Sequence, residues 1–230
     1  MRWLAAAFAL AGVPAGADIV TADYAEPTGR YDHAVLGDAL EWGALVLRLS
    51  DGRRLTYRLP ETLVFEDLEP RLADLDGDGA PEVVVVEASL TAGARLAVWD
   101  ETGRVAATAH YGQPHRWLAP AGIADLDQDG QAEIAYVDRP HLARVLEVVR
   151  LEGDKIVPVA ETAGLTNHRI GDAFIQGGIV DCGGTPHVVT ATADWQGIAL
   201  TSFPQGRAVT QVVGGYAGPD SLRPRQALCP

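Results

Sequence analysis

The 230-residue sequence carries 31 Asp and Glu against 18 Lys and Arg, a net charge of −13, with 47% hydrophobic residues and two cysteines. That acidity speaks against nucleic acid or anionic lipid as the main partner, because phosphate binding needs clustered Lys and Arg. Apolar residues suffice for the core of one domain of ordinary size.

Residues 1–17 combine one positive charge at Arg2, an apolar run over 3–13 and the small-residue stretch Ala15-Gly16-Ala17. This pattern predicts a secretory signal peptide cleaved near Ala17/Asp18. A membrane span needs about twenty apolar residues, and Pro14 interrupts this run, so no span is expected here or later. The mature product is expected to be periplasmic or secreted.

The remainder reads as short strands at a fixed period. Turn signals fall at Gly52, Gly103, Gly153 and Gly206, which are 51, 50 and 53 residues apart. Each lies between apolar runs: 45–49 with 55–59, 96–99 with 105–108, 145–151 with 156–159, and 198–203 with 208–213. Four hairpins at one period predict four units, and a fifty-residue period of short strands is the mark of an all-β propeller, most simply with four four-stranded blades. Part of a larger assembly, or a β-sandwich with inserted turns, are the alternatives. In the first unit, 19–25 and 33–36 are expected as inner strands joined at Pro27-Thr28-Gly29. In the third, 118–124 and 132–137 are expected to flank a loop, with 138–143 as a connection.

The two middle units each carry D-x-D-x-D-G-x-x-E. The first copy is Asp74, Asp76, Asp78 and Glu82; the second, 51 residues on, is Asp125, Asp127, Asp129 and Glu133. Alternate carboxylates converge only if the backbone curls, which the glycines at Gly79 and Gly130 permit. With the Ala80 and Gln131 carbonyls added, the donor set is all oxygen and suits Ca2+ at two sites better than zinc or copper. Magnesium is a poorer match because it demands tight octahedral geometry. The acidic residue at position nine, followed by a strand, sets the loops apart from an EF-hand.

These loops, entered by Gly122-Ile123-Ala124 in the second copy and left by 83–86 and 134–137, resemble the calcium loops of VCBS/FG-GAP repeats, the family that includes the integrin alpha-subunit propeller. The resemblance covers about a hundred residues and implies a blade with the loop between its first two strands. It implies a ligand-binding or protein-interaction role with structural Ca2+. Gln128 departs from the usual glycine, and the ninth position is Glu where Asp is common. The first and last units are degenerate; in the last, only Asp181 survives as a possible ligand, so neither is expected to hold metal.

Cys182 and Cys229 are expected to pair in an oxidising compartment. The organisation is therefore a leader over 1–17, a propeller over 18–215 and a tail over 216–230 tied back by that bond. On the face opposite the acidic loops the alternation of strands gathers His115, Arg116, Trp117, Arg139, His141, Asn167, His168, Arg169 and Trp195, with Glu41 and Trp42 from the first unit. An arginine fork beside aromatic surface suits a small anionic ligand, a carbohydrate or an acidic protein segment. Alternatively these side chains bond neighbouring units together. No nucleophile elbow, H-E-x-x-H, P-loop or C-x-x-C is present, so a binding module is expected ahead of a periplasmic hydrolase using the same face.

Overall fold

The computed structural model describes residues 17–37 and 40–230; the expected leader, 1–17, lies outside them except for Ala17. Among the described residues the chain is all-β, with three short 3-10 turns at Pro204–Gly206, Pro219–Leu222 and Gln226–Leu228. The first unit contains β1 (Ile19–Thr28), β2 (Glu41–Leu49) and β3 (Arg54–Arg58). The second contains β4 (Leu63–Phe65), β5 (Arg71–Ala73), β6 (Glu82–Ser89), β7 (Gly93–Asp100) and β8 (Gly103–Ala107). The third is β9 (Leu118–Ala124), β10 (Glu133–Asp138), β11 (Val145–Glu152) and β12 (Lys155–Ala163). The fourth is β13 (Leu165–Thr166), β14 (Gly178–Asp181), β15 (Pro186–Thr192), β16 (Gly197–Ser202) and β17 (Val209–Gly215).

Every pairing is antiparallel, and the third unit is a plain four-stranded meander. The first two units run together as one eight-stranded sheet, joined where Trp42 of β2 meets Phe65 of β4. In the second and fourth units the inner strand is broken in two. β4 and β5 share the same edge of β6, and β13 and β14 share the same edge of β15.

The first unit departs from expectation. β1 runs unbroken through Pro27 and pairs with β2, Tyr24 opposite Leu45, so 19–25 and 33–36 are not two inner strands. Because β1 is an edge strand, the missing proline N–H breaks no ladder. Residues 33–36 are turn and loop, leaving three strands among the described residues where four were expected. That loop crosses the molecule instead. Tyr31, Val35 and Leu36 are buried against Trp117 and Leu118, and Gly37 lies so close to Gly171 that a Cβ would come 3.0 Å from its carbonyl oxygen. The third unit's expected 138–143 connection begins one residue later, since Asp138 still pairs with Val145.

Strand β6, Glu-Val-Val-Val-Val-Glu-Ala-Ser, is buried on both faces. Val83 and Val85 enter a cluster with Leu45, Leu47 and Leu49 of the first unit, while Val84 and Val86 face Ile134 and Tyr136 of the third. In β10, Ala135 and Val137 turn the other way, towards Val188 and Ala199 of the fourth. Alternation with period two thus supplies both sides of each middle sheet. Each buried valine contributes roughly 1.5–3 kcal/mol. The outer side of the fourth sheet is covered by the tail: Leu222 and Leu228 pack on Val189, Ala191 and Leu200. The expected Cys182–Cys229 bond is present, with Cα atoms 5.4 Å apart, and pins that cover in place.

Candidate metal centres and the opposite loop face

The two acidic loops share four amide-to-carboxylate bonds and differ at position four, where the Gly77 amide donates to Asp74 Oδ1 and the second loop leaves Asp125 Oδ1 without that bond. In the first, the Gly79 amide donates to Asp74, the Asp78 amide to Asp76, the Ala80 amide to Asp78, and the buried Leu75 amide to Glu82 Oε2 at 2.8 Å. In the second, the amides of Gly130, Asp129, Gln131 and Leu126 donate to Asp125, Asp127, Asp129 and Glu133 Oε2 in the same order. Leu75 and Leu126, each 1% exposed, anchor the loops in the core, and Glu82 and Glu133 hold them from beneath. Position four needs a left-handed backbone: Gly77 has φ 80°, and Gln128 accepts φ 63° in the equivalent place. Glutamine is strained there, but its side chain donates to the Gly184 carbonyl at 2.6 Å and ties the loop to the fourth unit.

This wiring brings the carboxylates together. Oxygens of Asp74, Asp76 and Asp78 lie within 4.8 Å of one another, as do those of Asp125, Asp127 and Glu133. Their electrostatic surroundings differ. Arg150 on β11 lies opposite Glu133 and bonds it through Nε at 2.8 Å and through Nη2, and also reaches Asp127 at 3.1 Å and Asp129 at 2.7 Å. One oxygen in that loop, Asp125 Oδ1, is buried without a partner.

Among the described residues the first loop has no such arginine. Extending the pairing of Val83 with Trp99 by one residue brings Asp100, another acid, opposite Glu82. Burial, together with the charges of Asp76, Asp78 and Asp74, pushes the Glu82 carboxyl up to about 7, despite the bond from Leu75. Burial also raises Glu133, but there the Arg150 hydrogen bonds pull against it. Ala80 and Gln131 enter this wiring through their amides; their expected role through carbonyls stays an expectation. The sequence reading missed Arg150 and Asp100, whose signal was the registers of the β10–β11 and β6–β7 hairpins.

On the opposite face the nine expected residues divide. His115, Arg116, Trp117, Arg139 and His141 line one recess with His33, but its volume is about 20 Å3, room for roughly one water. Trp117 is buried and donates to the Glu66 carbonyl at 2.8 Å. His168 is buried between Trp117, the His141 ring at 3.0 Å N to N, and the Asp172 carbonyl. Asn167 points inward and donates to the Ala119 and Pro120 carbonyls.

Arg139 pairs with Asp138 and lies over Tyr111, and His115 bonds Asp32. Arg169 and Trp195 are grouped separately, with the guanidinium over both the Trp195 ring and the Tyr216 ring of the tail, which meet edge to face. Of the first-unit residues, Trp42 stacks on Tyr24 inside a core cluster. Burial and the neighbouring His168 and His33 push the His141 imidazole down to about 4. Burial and Arg116 lower His33, whose Nδ1 bonds the fully buried Glu66.

Residues 74–136, which hold both acidic loops and the strands between them, match the FG-GAP-like repeat family. The chain carries an FG-GAP-like repeat. No curated protein gives a significant match to the chain. The repeat match begins at Asp74 and ends in β10, so it covers the Asp-Gly wiring and leaves the His/Arg/Trp face outside except for His115, Arg116 and Trp117. Among the described residues no helix is long and apolar enough to cross a membrane.

Proposed function

We propose that this chain is an exported interaction module, a short propeller-like array of four units in which Ca2+ has a structural role. The observation that carries the reading is the first acidic loop. Three exposed carboxylates crowd within 4.8 Å there, a fourth is buried nearby, and among the described residues no cationic side chain pairs with them. Bound calcium would supply the missing positive charge. Asp74, Asp76, Asp78 and Glu82 would hold it by oxygen, as a hard cation requires. The second loop also fits, because Asp125 Oδ1 is buried and unpartnered, but Arg150 already neutralises its outer oxygens. Calcium there competes with a guanidinium and binds more weakly.

The disulfide supports export, since such bonds persist in oxidising compartments. For the opposite face, the reading gives Arg116 to an anionic ligand: it has no carboxylate partner among the described residues and sits beside His33 and His115. The 31–37 loop of the first unit lies against 171–175 of the fourth, which supports a ring-like arrangement, and the disulfide-bonded tail covers the fourth unit.

The test is a calorimetric calcium titration of the native protein and of Asp74→Asn and Asp125→Asn. The reading expects a first site with affinity on the order of 0.1–1 mM that Asp74→Asn abolishes, and a weaker site that Asp125→Asn abolishes. Absence of calcium-specific heat in the native protein would overturn it.

A further inference from the structure

Residues 167–177 interrupt the inner strand of the fourth unit between β13 and β14. Arg169 stands on that loop, exposed to solvent. Among the described residues its guanidinium has no carboxylate, carbonyl or hydroxyl partner, whereas Arg30, Arg71, Arg95, Arg104, Arg139 and Arg150 each hold a carboxylate. What Arg169 touches is aromatic: the Trp195 ring centre lies 4.4 Å from its central carbon and the Tyr216 ring centre 4.9 Å.

The two rings meet at 66° with centroids 5.0 Å apart and form a corner around the guanidinium. Both walls of that corner are fixed. Trp195 takes φ 59°, an unusual backbone for a bulky residue, and its amide donates to the Thr192 carbonyl at 2.8 Å. The Tyr216 amide donates to the Gln196 carbonyl at 2.9 Å, and its hydroxyl to Gln176 Oε1 at 2.9 Å. Aromatic faces hold a guanidinium by its flat side and leave its N–H edge to other partners. That edge offers paired donors at the spacing of carboxylate oxygens.

An apolar groove adjoins the corner. Gln176, which receives the Tyr216 hydroxyl, also lines a cavity of about 350 Å3 walled by Phe174, Ile175, Pro219 and Pro224. Phe174 is 43% exposed there, and the charged residues of the groove, Asp220 and Arg223, bond each other at 3.0 Å. The groove has room for one large apolar side chain and keeps no free charge to repel it.

We propose that Arg169 and this groove together dock a polypeptide partner through an acidic residue next to an apolar one, with the carboxylate on the Arg169 fork and the apolar side chain against Phe174. This deepens the interaction-module reading and rests on it, at a place separate from Arg116. Trp195 and Tyr216 are positioning residues, which hold the guanidinium flat and so lower the ordering cost of binding.

The test titrates the full chain with acetyl-Gly-Asp-Phe-Gly-amide, and with its Asn-Phe and Asp-Gly analogues, while 1H–15N spectra follow the Arg169 Nε and Trp195 indole signals. Both signals are expected to shift with the Asp-Phe peptide. The Asn-Phe peptide should bind at least about tenfold more weakly because it lacks the charge, and the Asp-Gly peptide at least about tenfold more weakly because it leaves the groove empty. Arg169→Lys keeps the charge but loses the fork and should weaken binding at least about tenfold; Phe174→Ser should do the same through the groove. Equal binding of the Asp-Phe and Asn-Phe peptides to the native chain would overturn the proposal whether or not the variants fold. So would unchanged affinity in folded Arg169→Lys. Shifts at Arg116 with Arg169 and Trp195 unmoved would overturn it too and leave the Arg116 reading standing, and the calcium reading is measured without peptide.

Discussion

Replacing Arg150 with methionine isolates the charge balance of the second loop. The Glu133 side chain is fully buried and the Arg150 side chain only 12% exposed, so the substitution strands a carboxylate in the interior. Breaking a buried ion pair by removing one partner costs about 3–5 kcal/mol. Asp129 is 40% exposed and rehydrates readily, which points to the lower end, about 3 kcal/mol. At roughly 2–4 °C per kcal/mol for a chain of this size, the midpoint in EDTA should fall by about 6–12 °C. Calcium at a hundred times its dissociation constant restores about 2.7 kcal/mol through binding to the folded state, so most of the loss should disappear there. Differential scanning calorimetry of both proteins, with EDTA and with calcium, reads both effects. A loss in EDTA below about 1 kcal/mol would show that the Arg150 contacts are as weak as exposed surface pairs, and the reasoning would fail.

Reduction of Cys182–Cys229, or Cys229→Ser, should cost about 4 kcal/mol on the chain-entropy model for a 47-residue separation, read as a lower urea midpoint. Leu228→Ala, under the same cover, should cost about 2–4 kcal/mol; a change within 0.5 kcal/mol would mean that the tail does not seal the fourth sheet. Acidification should destabilise the protein through His141, faced by His168, His33 and Arg144. Its folded-state value near 4 lies below the unfolded value of about 6.5, so its contribution is fully present above pH 6.5 and is lost as pH falls towards 4. His141→Asn should flatten the urea midpoint between pH 7 and 4.5, and identical slopes would exclude this source.

Much of this fold was legible because it is local. The hairpin expected at 45–49 with 55–59 became β2 and β3, and the other three turn signals also lie between paired strands. The acidic loops and the cysteine pair were readable from spacing and compartment. What escaped is non-local. Proline at position 27 reads as a break unless the strand is known to be an edge, and the two-residue β13 is too short to carry a pattern. Arg150 interrupts an apolar run, yet its partners become visible only once Glu133 and Arg150 are in register.

The opposite face shows how a periodic sequence can mislead. Glu66, Trp117 and His168 are 51 residues apart and occupy equivalent places at the inner strands. Trp117 bonds the Glu66 backbone and meets the His168 ring at 5.0 Å. Side chains that looked like an exposed binding cluster therefore also join one unit to the next.

The most direct measurement is a crystal structure of the native chain grown with calcium chloride. The account predicts an ion in the first loop at 2.3–2.6 Å from oxygens of Asp74, Asp76, Asp78 and Glu82, and a weaker one or Arg150 alone in the second. A first loop holding only water, its carboxylates turned to solvent, would contradict it.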